Sequence, residues 1–264
     1  MAQLILVFAL SWLITVLLAD PVAAMLTPGL RAENYRGETI PTAMGIVMLL
    51  AVLGAAGGLG LTGLISPQPG LPLFWLTLVS LAGLLDDAAG SHSCRGFRGH
   101  IAALFQGRFT SGMAKVFIIG GGAIVLSAPF RGQGLIKLGV LVLTVNLFNQ
   151  LDLRPGRALK AFLILAVLLA RGGHFLLSAG VGSALGLLPG DLRAKYMLGD
   201  TGANLLGALA GLALITSVSE TWLVISLVLL VLGNGAGELF SFSRLIAASS
   251  ALGWLDQLGR QEGD

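Results

Sequence analysis

Leu4-Ile-Leu-Val-Phe-Ala-Leu-Ser-Trp-Leu-Ile-Thr-Val-Leu-Leu-Ala19 carries no charged residue, and only Ser11 and Thr15 interrupt its apolar character. Apolar residues fill this block all round rather than on one stripe. About 20 such residues suffice to cross the hydrocarbon core of a bilayer as a helix. Comparable blocks recur to the end of the chain, and the pattern predicts about nine spans, at roughly 3–25, 41–64, 72–87, 111–128, 135–151, 158–171, 174–189, 202–217 and 222–240.

Composition agrees. Of 264 residues, 55% are hydrophobic and 11% charged, against about 25% charged in a soluble domain, and the mean hydropathy is +0.89. The expected fold is an all-α, polytopic transmembrane bundle. Residues 1–240 form one transmembrane catalytic domain, and 241–264 form an interfacial tail in which Leu245–Leu258, with Trp254, reads as a helix lying on the membrane. The third, sixth and seventh blocks are short, which allows tilt or a re-entrant path. Breakers stand at Ser66-Pro-Gln-Pro-Gly70, Ala128-Pro129, Pro155-Gly156 and Pro189-Gly190. The 38 glycines predict close helix contacts through small residues, Gly207 and Gly211 forming one such pair, and make a homodimer plausible.

The first block lacks the basic lead of a cleaved signal peptide, so it reads as a retained span. One cysteine, Cys94, permits neither an intrachain disulfide nor a cysteine-rich metal site. On the span assignment above, thirteen of the sixteen Lys and Arg residues share one face. Only Arg131, Lys137 and Arg171 lie opposite. The positive-inside rule makes the crowded face cytoplasmic, with the N-terminus outside and the C-terminus inside. A plasma-membrane protein is expected, in contact with lipid and without a nucleic-acid partner.

That face also collects the acids with unusual neighbours. Asp86 and Asp87 end the third block, where two carboxylates oppose the helix dipole. Hard oxygen ligands suit Mg²⁺, although pairing with Arg95 or Arg98 in a solvated loop would serve as well. Asn146, Asn149 and Asp152 follow at i, i+3 and i+6 along one helix. They form a polar ridge that either lines a wet cavity or bonds a neighbouring helix. Gly199-Asp200-Thr201-Gly202 opens the eighth block: an ordinary helix N-cap, or a carboxylate and free N–H groups offered to a metal–phosphate ligand. Arg98, His100 and Arg108 follow the aspartate pair, and Lys115 stands just inside the fourth span, where it either snorkels or serves a site. His92, His100 and His174 show no metal-ligand spacing.

These motifs, Asp86-Asp87-x-x-Gly90, Asn146-x-x-Asn149-x-x-Asp152 and Gly199-Asp-Thr-Gly202, together with Asn34-Tyr-Arg-Gly-Glu-Thr-Ile-Pro-Thr-Ala-Met-Gly45, occur in an order that resembles the polyprenyl-phosphate N-acetylhexosamine-1-phosphate transferases. This family includes phospho-N-acetylmuramoyl-pentapeptide transferase. The resemblance runs from Asn34 to about Leu206. It implies transfer of a sugar-1-phosphate from a UDP-sugar to undecaprenyl or another polyprenyl phosphate, with release of UMP, in cell-envelope synthesis. It implies Mg²⁺ held by Asp200 with help from Asp86. Asp86, Asp87, Lys115 and Asp200 would be catalytic, while Asn146, Asn149, Asp152, Thr201 and Arg98 would bind substrate.

The chain departs from the family pattern in several places. Glu238-Leu-Phe-Ser-Phe-Ser-Arg244 stands where a histidine-rich motif is usual, Leu153 replaces the glycine after Asp152, and a tenth span is missing. Glu38 stands near a position where some members carry lysine. A relative that binds polyprenyl phosphate or a partner glycosyltransferase without catalysis is the alternative. A small transporter would carry its charges nearer mid-membrane.

Overall fold

In hydrocarbon the backbone must satisfy its own hydrogen bonds, so the apolar blocks fold as helices. The computed structural model describes residues 1–26, 28–65, 70–89, 111–130 and 132–260. Helix α1 spans Ala2–Met25, α2 Gly45–Leu61 with a π-helical turn at Leu53–Gly58, and α3 Gly70–Ala89. They are followed by α4 (Ser111–Ser127), α5 (Gly134–Leu151), α6 (Arg157–Leu169) and α7 (Phe175–Leu192). The chain continues with α8 (Gly199–Ser217), α9 (Glu220–Leu239), α10 (Phe242–Ala247) and α11 (Ser250–Gln257). Five of these, α1, α3, α5, α7 and α9, are long and apolar enough to cross a membrane. The protein is an all-α membrane bundle.

Helix α8 is the axis of the bundle: every residue from Thr201 to Ile215 is buried. Helices α2, α3, α5, α6 and α7 pack around it. Close approach depends on missing side chains. A methyl group on Gly207 would fall 2.5 Å from Val145 Cα, and one on Gly211 would fall 3.4 Å from Leu141 Cα. The expected small-residue pair therefore works within the protomer, against α5. Helix α1 attaches to α7 through polar groups in an apolar setting. The Ser11 hydroxyl donates to the Ala179 carbonyl (2.6 Å), and that of Thr15 donates to Ser183 (2.9 Å).

Four parts of the fold differ from expectation. Helices α3 and α7 are full-length, and α7 runs through Pro189 to Leu192. Membrane helices tolerate proline where neighbours re-satisfy the freed carbonyl. The tail is two short helices, broken at Ala248 and Ser249. A short antiparallel hairpin, β1 (Arg31–Glu33) with β2 (Thr39–Pro41), precedes α2. Asn34 closes it by accepting the N–H groups of Arg36 (2.8 Å) and Glu38 (3.0 Å).

Alternating helix direction brings the C-terminal ends of α1, α3, α5, α7 and α9 together with the N-terminal ends of α2, α4, α6 and α8. Bonds across this end hold it in register. The Met197 N–H donates to the Pro41 carbonyl (2.7 Å), and the Gly45 N–H donates to that of Leu198 (3.0 Å). Lys137 and Arg171 lie at the opposite end, where Lys137 packs its ammonium over the Phe130 ring. There His174, at the start of α7, meets the Ser217 hydroxyl at 2.5 Å.

Candidate active site

The first turn of any helix leaves backbone N–H groups without partners. In α8 the preceding residue is Leu198, which has no side chain able to cap. The cap comes from another helix: Asp87, near the end of α3, accepts the N–H groups of Asp200 (2.9 Å) and Thr201 (3.0 Å) and the Thr201 hydroxyl (2.6 Å). Gly83 allows this, since a methyl group there would lie 2.4 Å from the Asp200 carbonyl oxygen. Gly45 of α2 lies as close to Gly202 on another side. Gly199, in the left-handed region at φ 72°, turns the chain against Thr42 and Ala43. Neither Asp200 nor Thr201 is the N-cap that the sequence suggests.

Capping from outside leaves the Asp200 carboxylate available for other partners. Lys115 of α4 reaches it at 2.6 Å and lies 3.6 Å from Asp86. One ammonium thus bridges two carboxylates from different helices. Asn149 of α5 stands beside Asp200 and donates to Asn204 (3.3 Å), one turn further along α8. The second amide hydrogen-bonding group of Asn204, Nδ2, is buried with no partner among the described residues.

This cluster borders a cleft of about 390 Å³, within the size range of small-molecule sites. Asp87, Asp152, Asp191 and Asp200 line it, with Tyr35, Arg154 and Tyr196. Two cations stand over the Tyr35 ring, Arg36 at 5.3 Å and Arg154 at 5.1 Å from its centroid. Burial pushes the Asp152 carboxyl well above the usual carboxylate range, and the charges of Asp191, Asp200 and Asp87 add to the shift. Asp191 accepts the Gly156 N–H at 2.5 Å and so ties the 152–157 turn to the end of α7.

The structure sorts the expected residues. Asp86, Asp87, Lys115, Asn149, Asp152 and Asp200 come together. Asn146 does not, because it donates to Asn234 of α9 at 2.6 Å. Asn234 in turn bonds the Leu143 and Leu230 carbonyls, so Asn146 is a helix–helix clamp. Thr201 is 1% exposed with its donors committed to Asp87; it locks α8 rather than meeting a ligand. Arg98 lies outside the described residues, as do Gly90, His92, Cys94, Arg95, His100 and Arg108. Asp191 and Asn204 were missed. A polar side chain four residues after Asp200 on a buried helix, and an acid at the site end of α7, were the available signals.

Does the donor set suit a divalent cation? Among the described residues no three Asp, Glu, His or Cys side chains are arranged to hold a metal alone. Mg²⁺ commonly takes one or two carboxylates and completes its shell with water and phosphate oxygens. Asp86 and Asp200, already sharing one positive charge, fit that pattern. No protein-family model matches the chain, and no curated protein matches it.

Proposed function

We propose that the protein transfers a sugar-1-phosphate, of the N-acetylhexosamine type, from a UDP-sugar to a polyprenyl phosphate at the cytoplasmic face of the plasma membrane. An oxygen of the lipid phosphate attacks the phosphorus that carries the sugar. The bond from that phosphorus to the UMP oxygen breaks, and UMP leaves. The N-terminus is outside and the tail inside, in keeping with the bias of basic residues toward the site end.

The observation that carries the reading is the Asp86–Lys115–Asp200 cluster at the membrane end of an acid-lined cleft. Asp200 and Asp86 would hold Mg²⁺, which when bound neutralises the diphosphate and the charge developing on UMP. Lys115 offers a second cation to a phosphate. Asp87 acts as a positioning residue, fixing the first turn of α8 and with it the direction of Asp200. Asn149 orients the same carboxylate, and Asp152 lines the cleft where the nucleotide enters.

The test is UMP release from UDP-N-acetylglucosamine by purified protein, with and without undecaprenyl phosphate and Mg²⁺. Release that needs both supports the transferase. Silence with every UDP-N-acetylhexosamine, the muramoyl-pentapeptide included, would leave a protein that binds polyprenyl phosphate without chemistry.

A further inference from the structure

We propose that the C-terminal tail is a strap that positions the cleft wall at residues 152–157, with Asp256 and Arg260 as positioning residues for UDP-sugar binding. The ligand rests on the transferase reading; the strap rests on contacts alone. A helix as short as the eight residues of α11 is not stable by itself in water, so its order comes from its partners. These lie on the first turn of α6. Lys160 donates to the Leu255, Asp256 and Leu258 carbonyls (2.9, 2.5 and 3.2 Å), acceptors that the end of α11 leaves open. Arg157 grips Asp256 with two bonds (2.8 and 2.9 Å) and donates to Ser243 of α10 (3.2 Å). The Arg157 and Asp256 side chains are 6% and 11% exposed. Bidentate pairing of this kind fixes geometry as well as charge.

From this anchor the tail reaches the turn that walls the cleft. Arg260 donates to Asp256 (2.9 Å) and, through Nε, to the Pro155 carbonyl (3.0 Å). Pro155 lines the cleft together with Asp152, Leu153 and Arg154. On the inner side Asp191 of α7 accepts the Gly156 N–H (2.5 Å). Leu192 packs against both the turn and the tail: a methyl group on Gly156 would meet it at 2.4 Å, and one on Gly259 at 3.1 Å. The turn is thus bonded from α7 on one side and from the tail on the other. Segments held by few bonds open locally while the rest of the fold stays closed. The Asp86–Lys115–Asp200 cluster stands instead on α3, α4 and α8. Loosening the strap therefore disturbs binding in the cleft before it disturbs transfer.

The test compares full-length parent, Arg260→Gln and Asp256→Asn proteins in detergent, by hydrogen exchange and by the kinetics of UMP release. Arg260→Gln leaves the Arg157–Asp256 pair intact, so it reads the strap where Asp256→Asn also strands Arg157. Exchange of the 152–157 backbone should quicken at least about tenfold in both variants, with α8 unchanged. KM for UDP-N-acetylglucosamine, or for the UDP-N-acetylhexosamine the parent prefers, should rise at least about fivefold while kcat stays within about twofold. Partial unfolding alone would lower kcat and spare KM. Unchanged exchange at 152–157 would overturn the strap. Faster exchange spread through α8 would do the same and make the tail a general brace. Faster local exchange with KM unchanged would overturn the role in UDP-sugar binding. A parent that releases no UMP from any UDP-N-acetylhexosamine removes the transferase reading, and exchange alone then decides the strap.

Discussion

Asp87 holds Thr201 by both its backbone N–H (3.0 Å) and its hydroxyl (2.6 Å), so one carboxylate from α3 closes the first turn of the central helix. Its neighbour Asp86 turns the other way, toward Lys115. Asp87 as cap and Asp200, which pairs with Lys115 alongside Asp86, thus do different work, and substitutions separate them. Asp87→Ala should lower stability by about 1–3 kcal/mol, the cost of lost caps and stranded donors. Asp200→Asn should change stability by less than about 1 kcal/mol while abolishing transfer. Thermal unfolding in detergent beside UMP release reads both. Equal destabilisation by the two would contradict the division.

Lys115 offers its one positive charge to both Asp86 and Asp200. Lys115→Gln leaves the carboxylates facing each other without it. The unfolding midpoint should fall in chelator, by the equivalent of about 1 kcal/mol, and Mg²⁺ should restore it. Parent protein should gain less from Mg²⁺. A variant indifferent to Mg²⁺ would remove this pair as a cation site.

Gly83 and Gly121 provide a matched pair. A methyl group at Gly83 meets the Asp200 carbonyl at 2.4 Å, whereas nothing lies within 4 Å of one at Gly121. Gly83→Ala should push α3 off α8, weaken the Asp87 cap and lower both stability and activity. Gly121→Ala should be neutral, within about 0.5 kcal/mol. Matching effects at both positions would mean that close helix approach is not what Gly83 provides.

Asp152 sets a pH dependence. Its carboxyl is raised above the ordinary value of 3.8, first by burial and then by the charges of Asp191, Asp200 and Asp87. A group shifted upward favours the protonated folded state, so its cost is absent below the unfolded value and grows as pH rises toward the folded one. Asp152→Asn should therefore stabilise the cation-free protein at neutral pH. That gain should vanish near pH 4. Unfolding midpoints of both proteins across this range in chelator check it; a gain that does not depend on pH contradicts the assignment.

The bundle was legible because apolar blocks long enough to span a bilayer leave few alternatives to helix, and the breakers Ala128-Pro129 and Pro155-Gly156 fell between them. The convergence of Asp86, Lys115, Asn149, Asp152 and Asp200 on one end followed from counting spans. What could not be read was contact. Asn146 and Asn149, three positions apart on α5, differ by about 60° around the helix. This turn suffices to aim one at α9 and the other at α8. The capping of α8 by Asp87 depends on α3 crossing at Gly83, and no local signal carries a crossing point. Asp191 sat beside Pro189-Gly190, which reads as a turn until α7 is seen to run through it. The hairpin strands have three residues each, too few to show alternation.

The central claim is that Asp200, aimed by Asp87 and paired with Lys115, serves a phosphotransfer site. Its most direct test follows UMP release from UDP-N-acetylglucosamine and related UDP-N-acetylhexosamines by parent and Asp200→Asn proteins, with undecaprenyl phosphate and Mg²⁺. The account predicts lipid- and metal-dependent release by the parent and none by the variant, with both equally folded. Full turnover by Asp200→Asn, or no release by the parent with any of these sugars, would contradict it.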